Sequence, residues 1–200
     1  MALEKRILTD AMQTFRIEAE SLAETAKVLE PEAFSLAVEA LAGAPRIAAA
    51  GCGHTGIACR HFAHLMCCIE RPARFLSPAE AVHGGMGFLQ TGDVMLLASR
   101  GGKTDELMPI ADICRKKGVT VIAVTEDQSS PLAEKADIVL AMKVTRECDP
   151  YNCQGTTSFA VTCAIFDALQ VAVLELTGFR NEEFAVIHPH GAVGKRLNQK

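Results

Sequence analysis

Tryptophan is absent from this 200-residue chain and tyrosine occurs once, as Tyr151. Flavin sites stack the ring on aromatics, so loops this poor in them argue against a flavin. Positive charge is not in excess either: 20 Lys and Arg stand against 24 Asp and Glu, a net −4. That balance excludes a broad basic face for nucleic acid, and any anion bound has to be small. No stretch approaches the ~18 uninterrupted apolar residues of a membrane span, and the first ten residues are too charged for a signal peptide. The expectation is a cytoplasmic protein with no membrane partner. Nucleotide fingerprints are missing as well, since Gly51-x-Gly53 lacks its third glycine and no GKS or GKT occurs.

Eight cysteines are present. Most sit inside apolar helical or strand patterns, as reduced, buried thiols do. Cys148 and Cys153, with Asp149 between them, have the one spacing zinc would use, but no second Cys or His pair lies nearby, and no metal is expected. His61 and His64 lie one helical turn apart on a stretch lined by Phe62, Leu65 and Met66, which favours structural histidines over ligands.

What is there is a core. Apolar residues make up 49% of the chain, enough for one well-filled α/β domain. Leu3, Ile7, Leu8, Met12, Phe15, Leu22, Ala26 and Leu29 share one helical face, so the first thirty or so residues form an amphipathic helix, and Pro31 opens a second over 31–41. We take 1–44 as a helical extension and 45–200 as the main domain. A helix ahead of the first strand has no sheet face reserved for it, which suggests packing against a second subunit.

From residue 46 onward strands and helices alternate. Apolar runs at 46–50, 74–76, 94–98, 119–125 and 138–142 read as strands, and helices follow at about 53–69, after Ser77-Pro78 with Glu80 and His83, at 104–117, after Pro131 and at 156–176. The pattern predicts a five-stranded parallel sheet with helices on both faces, a three-layer αβα sandwich, and we take the flavodoxin-like order 2-1-3-4-5 as the working arrangement. In that order the glycine loops 51–56 and 99–104 open on one crevice at the carboxyl ends of the strands. Backbone N–H groups at the following helix starts then suit a phosphate.

Five segments carry a resemblance to a known family: GCGHTG at 51–56, SPAEAVHGGMG at 77–87, SRGGKTDEL at 99–107, RECDPYNCQGTTS at 146–158 and GFRNEEFAVIHPHGAVGKRL at 178–197. Together they resemble the sugar isomerase (SIS) domain, and within it the arabinose 5-phosphate isomerase family, over about residues 45–197. The resemblance implies the same αβα fold, a homodimer or homotetramer, and a cofactor-free aldose–ketose isomerase of phosphorylated sugars that works through an enediol. It places phosphate and substrate contacts at Gly53, His54, Thr55, Ser99, Gly101, Lys103, Thr104, Thr156, Thr157 and Ser158. Glu147 would shuttle the proton, with His188 assisting ring opening or oxygen protonation across a subunit interface. Glu106 would orient substrate hydroxyls or tune its neighbours, and His83 completes the set.

Three positions depart from the family pattern. His54 stands where lysine is usual, Gly101-Gly102-Lys103 where Ser-Gly-Glu is usual, and His83-Gly84-Gly85 where the pattern reads HGD. Lys103 is therefore expected to replace the missing lysine as phosphate counter-charge. The chain is also expected to lack the paired regulatory CBS domains of many relatives. The alternatives are a non-catalytic phosphosugar-binding protein and an isomerase or lyase for another phosphosugar.

Overall fold

The computed structural model describes residues 3–199. Its centre is β3, Val94–Ala98, five apolar residues that are all buried. A run with no polar alternation fits only a strand covered on both faces. Parallel to it lie β1 (Ile47–Ala50) and β4 (Thr120–Thr125), with β2 (Ala73–Phe75) and β5 (Ile138–Ala141) outside them, in the order β2-β1-β3-β4-β5. Val94 pairs with Ile47 on one side and with Thr120 on the other.

Alternate residues of each strand feed different layers, as the pleat requires. Ile47, Ala49, Leu96, Ile122 and Leu140 pack with residues of α2 (Pro31–Gly43), α3 (Gly53–Cys67) and α7 (Thr157–Thr177). Ala48, Ala50, Met95, Leu97 and Val121 pack with α4 (Pro78–Ala81), α5 (Met108–Lys117) and α6 (Pro131–Lys135). By length and hydropathy alone, 1.8 over eighteen residues, α7 passes for a membrane span. In this fold it is a core helix: Val161, Ile165, Phe166, Leu169 and Val173 are buried, and α1 (Leu3–Val28), α2 and α3 pack against it.

Two elements differ in detail from the sequence reading. The helix expected from Thr104 opens as a 3₁₀ turn, Asp105–Leu107, and becomes α-helical at Met108. Pro109 has no N–H and fits only the first turn of an α-helix, so the regular helix starts there. The small helix expected to carry His83 ends at Ala81, and His83 is exposed in the turn beyond it.

The first helix, α1, runs Leu3–Val28, and its orientation is a finding. Its buried residues are Ile17, Ser21 and Thr25, whereas Leu8 and Phe15 of the apolar stripe are 63% and 66% exposed. The side that meets the body joins Ile17 to two hydroxyls: Ser21 Oγ lies 2.9 Å from Thr145 Oγ1, and Thr25 Oγ1 donates to the Lys143 carbonyl at 2.9 Å.

The tail forms α8 (Asn181–Ile187) and α9 (Gly191–Asn198). A Cβ at Gly194 would lie 2.4 Å from the His188 carbonyl oxygen. Glycine at that point of the HPHGAVG segment lets α9 rest directly on the His188-Pro189 backbone.

Candidate active site

The connection out of β1 crosses one face of the sheet and the connection out of β3 crosses the other. Their loops diverge and leave a crevice at the carboxyl ends of the two strands. A cleft of about 430 Å³ opens there, and Gly51, Gly53, Arg60, Phe75, Ser77 and Glu106 are among the residues that line it. Gly56 makes the first loop possible, since a Cβ there would sit 2.6 Å from the Gly51 carbonyl oxygen. The loop thus folds back on the first turn of α3, with Gly53 at its start.

Glu106 lies in the 3₁₀ turn after β3, exposed, with its side chain at the cleft. Burial, and after it the charge of Glu106, push the Cys52 thiol above its ordinary range, which reports how near the carboxylate comes to the first loop. Arg60, two turns into α3, stacks its guanidinium over Phe75 at 4.0 Å. The first glycine loop, the 3₁₀ turn that follows the second and the start of α4 therefore meet around one opening.

Ser99 and Thr104 belong to the second loop. Their hydroxyl oxygens are 2.8 Å apart, and Ser99 Oγ also accepts the Gly102 N–H at 3.2 Å. Thr104 caps its helix with no side-chain bond because its hydroxyl is spent on Ser99. Gly101 is open to solvent. Lys103 is 69% exposed and turns to Asp127 at 3.2 Å. Arg100 is the anchor of the loop. Its Nε meets Glu126 at 3.0 Å and its Nη1 meets Glu147 at 2.8 Å. Burial works to raise the Glu126 carboxyl, but the Val144 amide, Arg100 and Lys143 outweigh it and hold the group below the ordinary carboxylate range.

Glu147 is 3% exposed. Oε1 takes Arg100, while Oε2 accepts the Ser158 N–H at 3.1 Å and the Thr156 hydroxyl at 3.3 Å. Its own N–H donates to Asn152 Oδ1 at 2.7 Å. An acid at the start of α7 satisfies orphan amides and the helix dipole, so the positive end that suits a phosphate is taken by a side chain of the same chain. Thr156 also accepts the Cys148 N–H at 3.0 Å, and buried Thr157 faces the Cys148 sulfur at 3.2 Å. His54 sets its ring edge-on to Phe159 at 6.5 Å and lies against Gly155, which brings the loop before α7 up to the start of α3.

The structure thus gathers Gly53, His54, Thr55, Ser99, Gly101, Thr104, Glu106, Glu147, Thr156, Thr157 and Ser158 along one edge of the sheet. His188 is elsewhere within the chain. It follows α8 and shares a hollow with His64, Cys67 and Cys68 at the far end of α3, about 20 Å along that helix from Gly53. Sequence reasoning missed Arg60, Arg100 and Glu126. The spacing held a signal for the first: Arg60 is four residues after Gly56 and seven after Gly53, and so on the same helix face. For the other two nothing local marks the partner.

The comparisons with known proteins agree with this geometry. A family model described as the SIS domain matches residues 40–172. Arabinose 5-phosphate isomerase KdsD of Pseudomonas aeruginosa is 39% identical over 157 residues, 78% of this chain and 48% of its own length. Arabinose 5-phosphate isomerase KpsF of Escherichia coli is 31% identical over 196 residues, 98% of this chain and 62% of its own length. The chain therefore spans about half to three-fifths of these curated relatives. Among solved structures, a Listeria monocytogenes protein provisionally assigned as a sugar-phosphate isomerase superposes with a TM-score of 0.91 at 40% identity, covering 95% of this chain and all of that one. An E. coli CFT073 protein in complex with arabinose 5-phosphate gives 0.87 at 26% identity, covering 94% and 100%. Matched by the family model over most of its length, and by these relatives in sequence and in fold, the chain belongs to the SIS domain family.

Proposed function

We propose that the chain is an aldose–ketose isomerase of phosphorylated sugars, with a substrate of the arabinose 5-phosphate kind. The observation that carries this reading is the shared cleft of the first glycine loop and Glu106, at the switch point of the sheet where such folds bind ligands. The names of the curated relatives and the sugar-phosphate complex of a structural neighbour support the choice of sugar.

The chemistry needs one base within reach of two adjacent carbons. The base takes the proton from C2 of the aldose, the C–H electron pair becomes the C1=C2 bond, and O1 is protonated. The same group then returns its proton to C1 while O2 loses one, leaving the ketose. Because Glu106 faces the cleft and Glu147 is enclosed by Arg100 and the start of α7, we assign the shuttle to Glu106. Glu147 becomes the group that fixes the second loop against the third. This moves the shuttle expected at Glu147 from sequence to Glu106 and gives Glu147 a positioning role. His83, exposed just beyond α4, is left to contact substrate or solvent.

Self-association belongs to the same reading. The exposed apolar stripe of α1 gives a surface for a second copy, and only a second copy would bring a His188 to the cleft.

The test is turnover of arabinose 5-phosphate, followed by ketose formation and by exchange of the C2 proton with deuterium from solvent. Glu106→Gln should lower kcat by a factor of about a hundred or more with its melting temperature unchanged. A wild type that is stabilised by the sugar phosphate but neither isomerises it nor exchanges the proton would instead be a phosphosugar-binding protein.

A further inference from the structure

A phosphate ester brings close to two negative charges into the cleft, and the cations around its rim can be taken in turn. Arg100 is committed to Glu126 and Glu147. Lys143 pairs with Glu126 at 3.3 Å, and Lys103 points to Asp127. Arg146 is tied back to the carbonyls of Glu147 and Asp149. The imidazole of His54 packs edge-on to Phe159. Arg60 lines the cleft itself and, among the described residues, has neither a carboxylate nor a carbonyl partner; the Phe75 ring at 4.0 Å is what fixes it. A guanidinium held over an aromatic face keeps the N–H fork at its edge free and pre-oriented, the arrangement that suits a phosphate.

We infer that Arg60 is the cationic ligand of the substrate's phosphate group, supplying the charge that the first loop does not carry at His54 and that Lys103 spends on Asp127. Phe75 is its platform. A Cβ at Gly56 would already come within 3.8 Å of the Phe75 ring, so the ring also walls the first loop and sets how far Arg60 stands from the Gly53 turn. The phosphate end of the sugar then lies on the β2 side of the cleft, leaving the carbonyl end for Glu106.

The inference rests on the phosphosugar reading, and the experiment separates the two. Thermal shift and steady-state kinetics are measured for wild type, Arg60→Gln and Arg60→Lys with arabinose 5-phosphate, inorganic phosphate and unphosphorylated arabinose. Arg60→Gln should raise KM for the phosphate ester about tenfold or more with kcat little changed, because a hydrogen bond to a charged group is lost from binding rather than from the proton transfer. It should also abolish competitive inhibition by inorganic phosphate and leave the weak response to arabinose as it was. Arg60→Lys should recover part of the affinity, since it keeps the charge and loses the planar fork. Equal KM and equal phosphate inhibition in Arg60→Gln would overturn the assignment and leave the isomerase reading standing. A wild type that neither phosphate ligand stabilises would remove both.

Discussion

Arg100 Nη1 lies 2.8 Å from Glu147 Oε1, a contact across 47 residues of sequence that locks the loop after β3 to the start of α7. Arg100 is 34% exposed and Glu147 3%, so most of the buried charge is on the acid. Removing the cation alone strands a carboxylate away from water, the costly half of such a change. Arg100→Ala should therefore cost about 2–3 kcal/mol in urea denaturation, discounted for the wet side of the arginine. Glu147→Gln keeps the Ser158 and Thr156 bonds within reach of its amide oxygen and should cost less. Combining Arg100→Ala with Glu147→Gln should recover part of the loss, and a strictly additive pair would show that the contact does not couple the two loops.

The two glycines beside Arg100 should behave in opposite ways. Gly102 has φ +63, and a Cβ on it would fall 1.9 Å from Ser130 Oγ and 2.9 Å from Thr125 Oγ1. Its own carbonyl accepts the Leu132 N–H at 3.1 Å, so the loop cannot move off without giving up that bond. Gly102→Ala is expected to cost about 3 kcal/mol, from left-handed strain plus overpacking. Gly101 has nothing within 4 Å of an added Cβ, and Gly101→Ala should stay within about 0.5 kcal/mol. Melting curves of the two variants side by side check this, and equal losses would place the close packing of the loop elsewhere.

How much of this was legible in the sequence depends on whether the cause was local. Val94–Ala98 could be read residue for residue because a strand buried on both faces leaves an unbroken apolar run, and the parallel sheet with helices on both faces followed from alternation, whereas the order of the strands had to be assumed. The convergence of the 51–56 and 99–106 turns was legible for the same reason: parallel strands put all such loops at one edge. The Arg100–Glu147 pair was not, because nothing in either loop records what the other contains. For α1, periodicity identified which apolar residues share a face and said nothing about which way that face points. Ile17, Ser21 and Thr25 turned out to meet the body, while Leu8 and Phe15 of the apolar stripe did not. The family motif pointed to Glu147 and His188, but a motif carries no burial, and it is burial that sets Glu147 apart from the exposed Glu106.

Acid should weaken the fold through Glu126 only below the ordinary carboxylate range. Its carboxyl is held below the ordinary range in the folded state, so it binds its proton more readily when unfolded. The stability it contributes is fully present above the unfolded value of about 4.3 and is lost as pH falls through the lower folded value. Glu126→Gln should be less stable than wild type at pH 7, with the gap narrowing steadily below about pH 4.3. Urea midpoints measured between pH 3 and 7 test the sign, and a gap that widens on acidification would contradict it.

The stripe on α1 provides the last prediction. Leu8, Met12 and Phe15 are 46–66% exposed and project away from the face of the same helix that buries Ile17, Ser21 and Thr25. A run of large apolar side chains is not arranged toward water without a partner surface, and the proposed second copy offers an identical one across a two-fold axis. Each Phe15 withdrawn from water would contribute about 2 kcal/mol, and a two-fold contact contains two of them. Phe15→Glu should then weaken dimerisation by at least a hundredfold. It should leave the monomer folded, because this side chain makes no part of the buried core. Sedimentation velocity across a concentration series reads the first effect and far-UV circular dichroism the second. A second effect follows if His188 of another copy completes the cleft: the variant should lose turnover in step with its loss of dimer and regain it at high protein concentration. A wild type that sediments as a monomer at all concentrations, or a Phe15→Glu variant that stays dimeric, would show that the stripe serves some other contact.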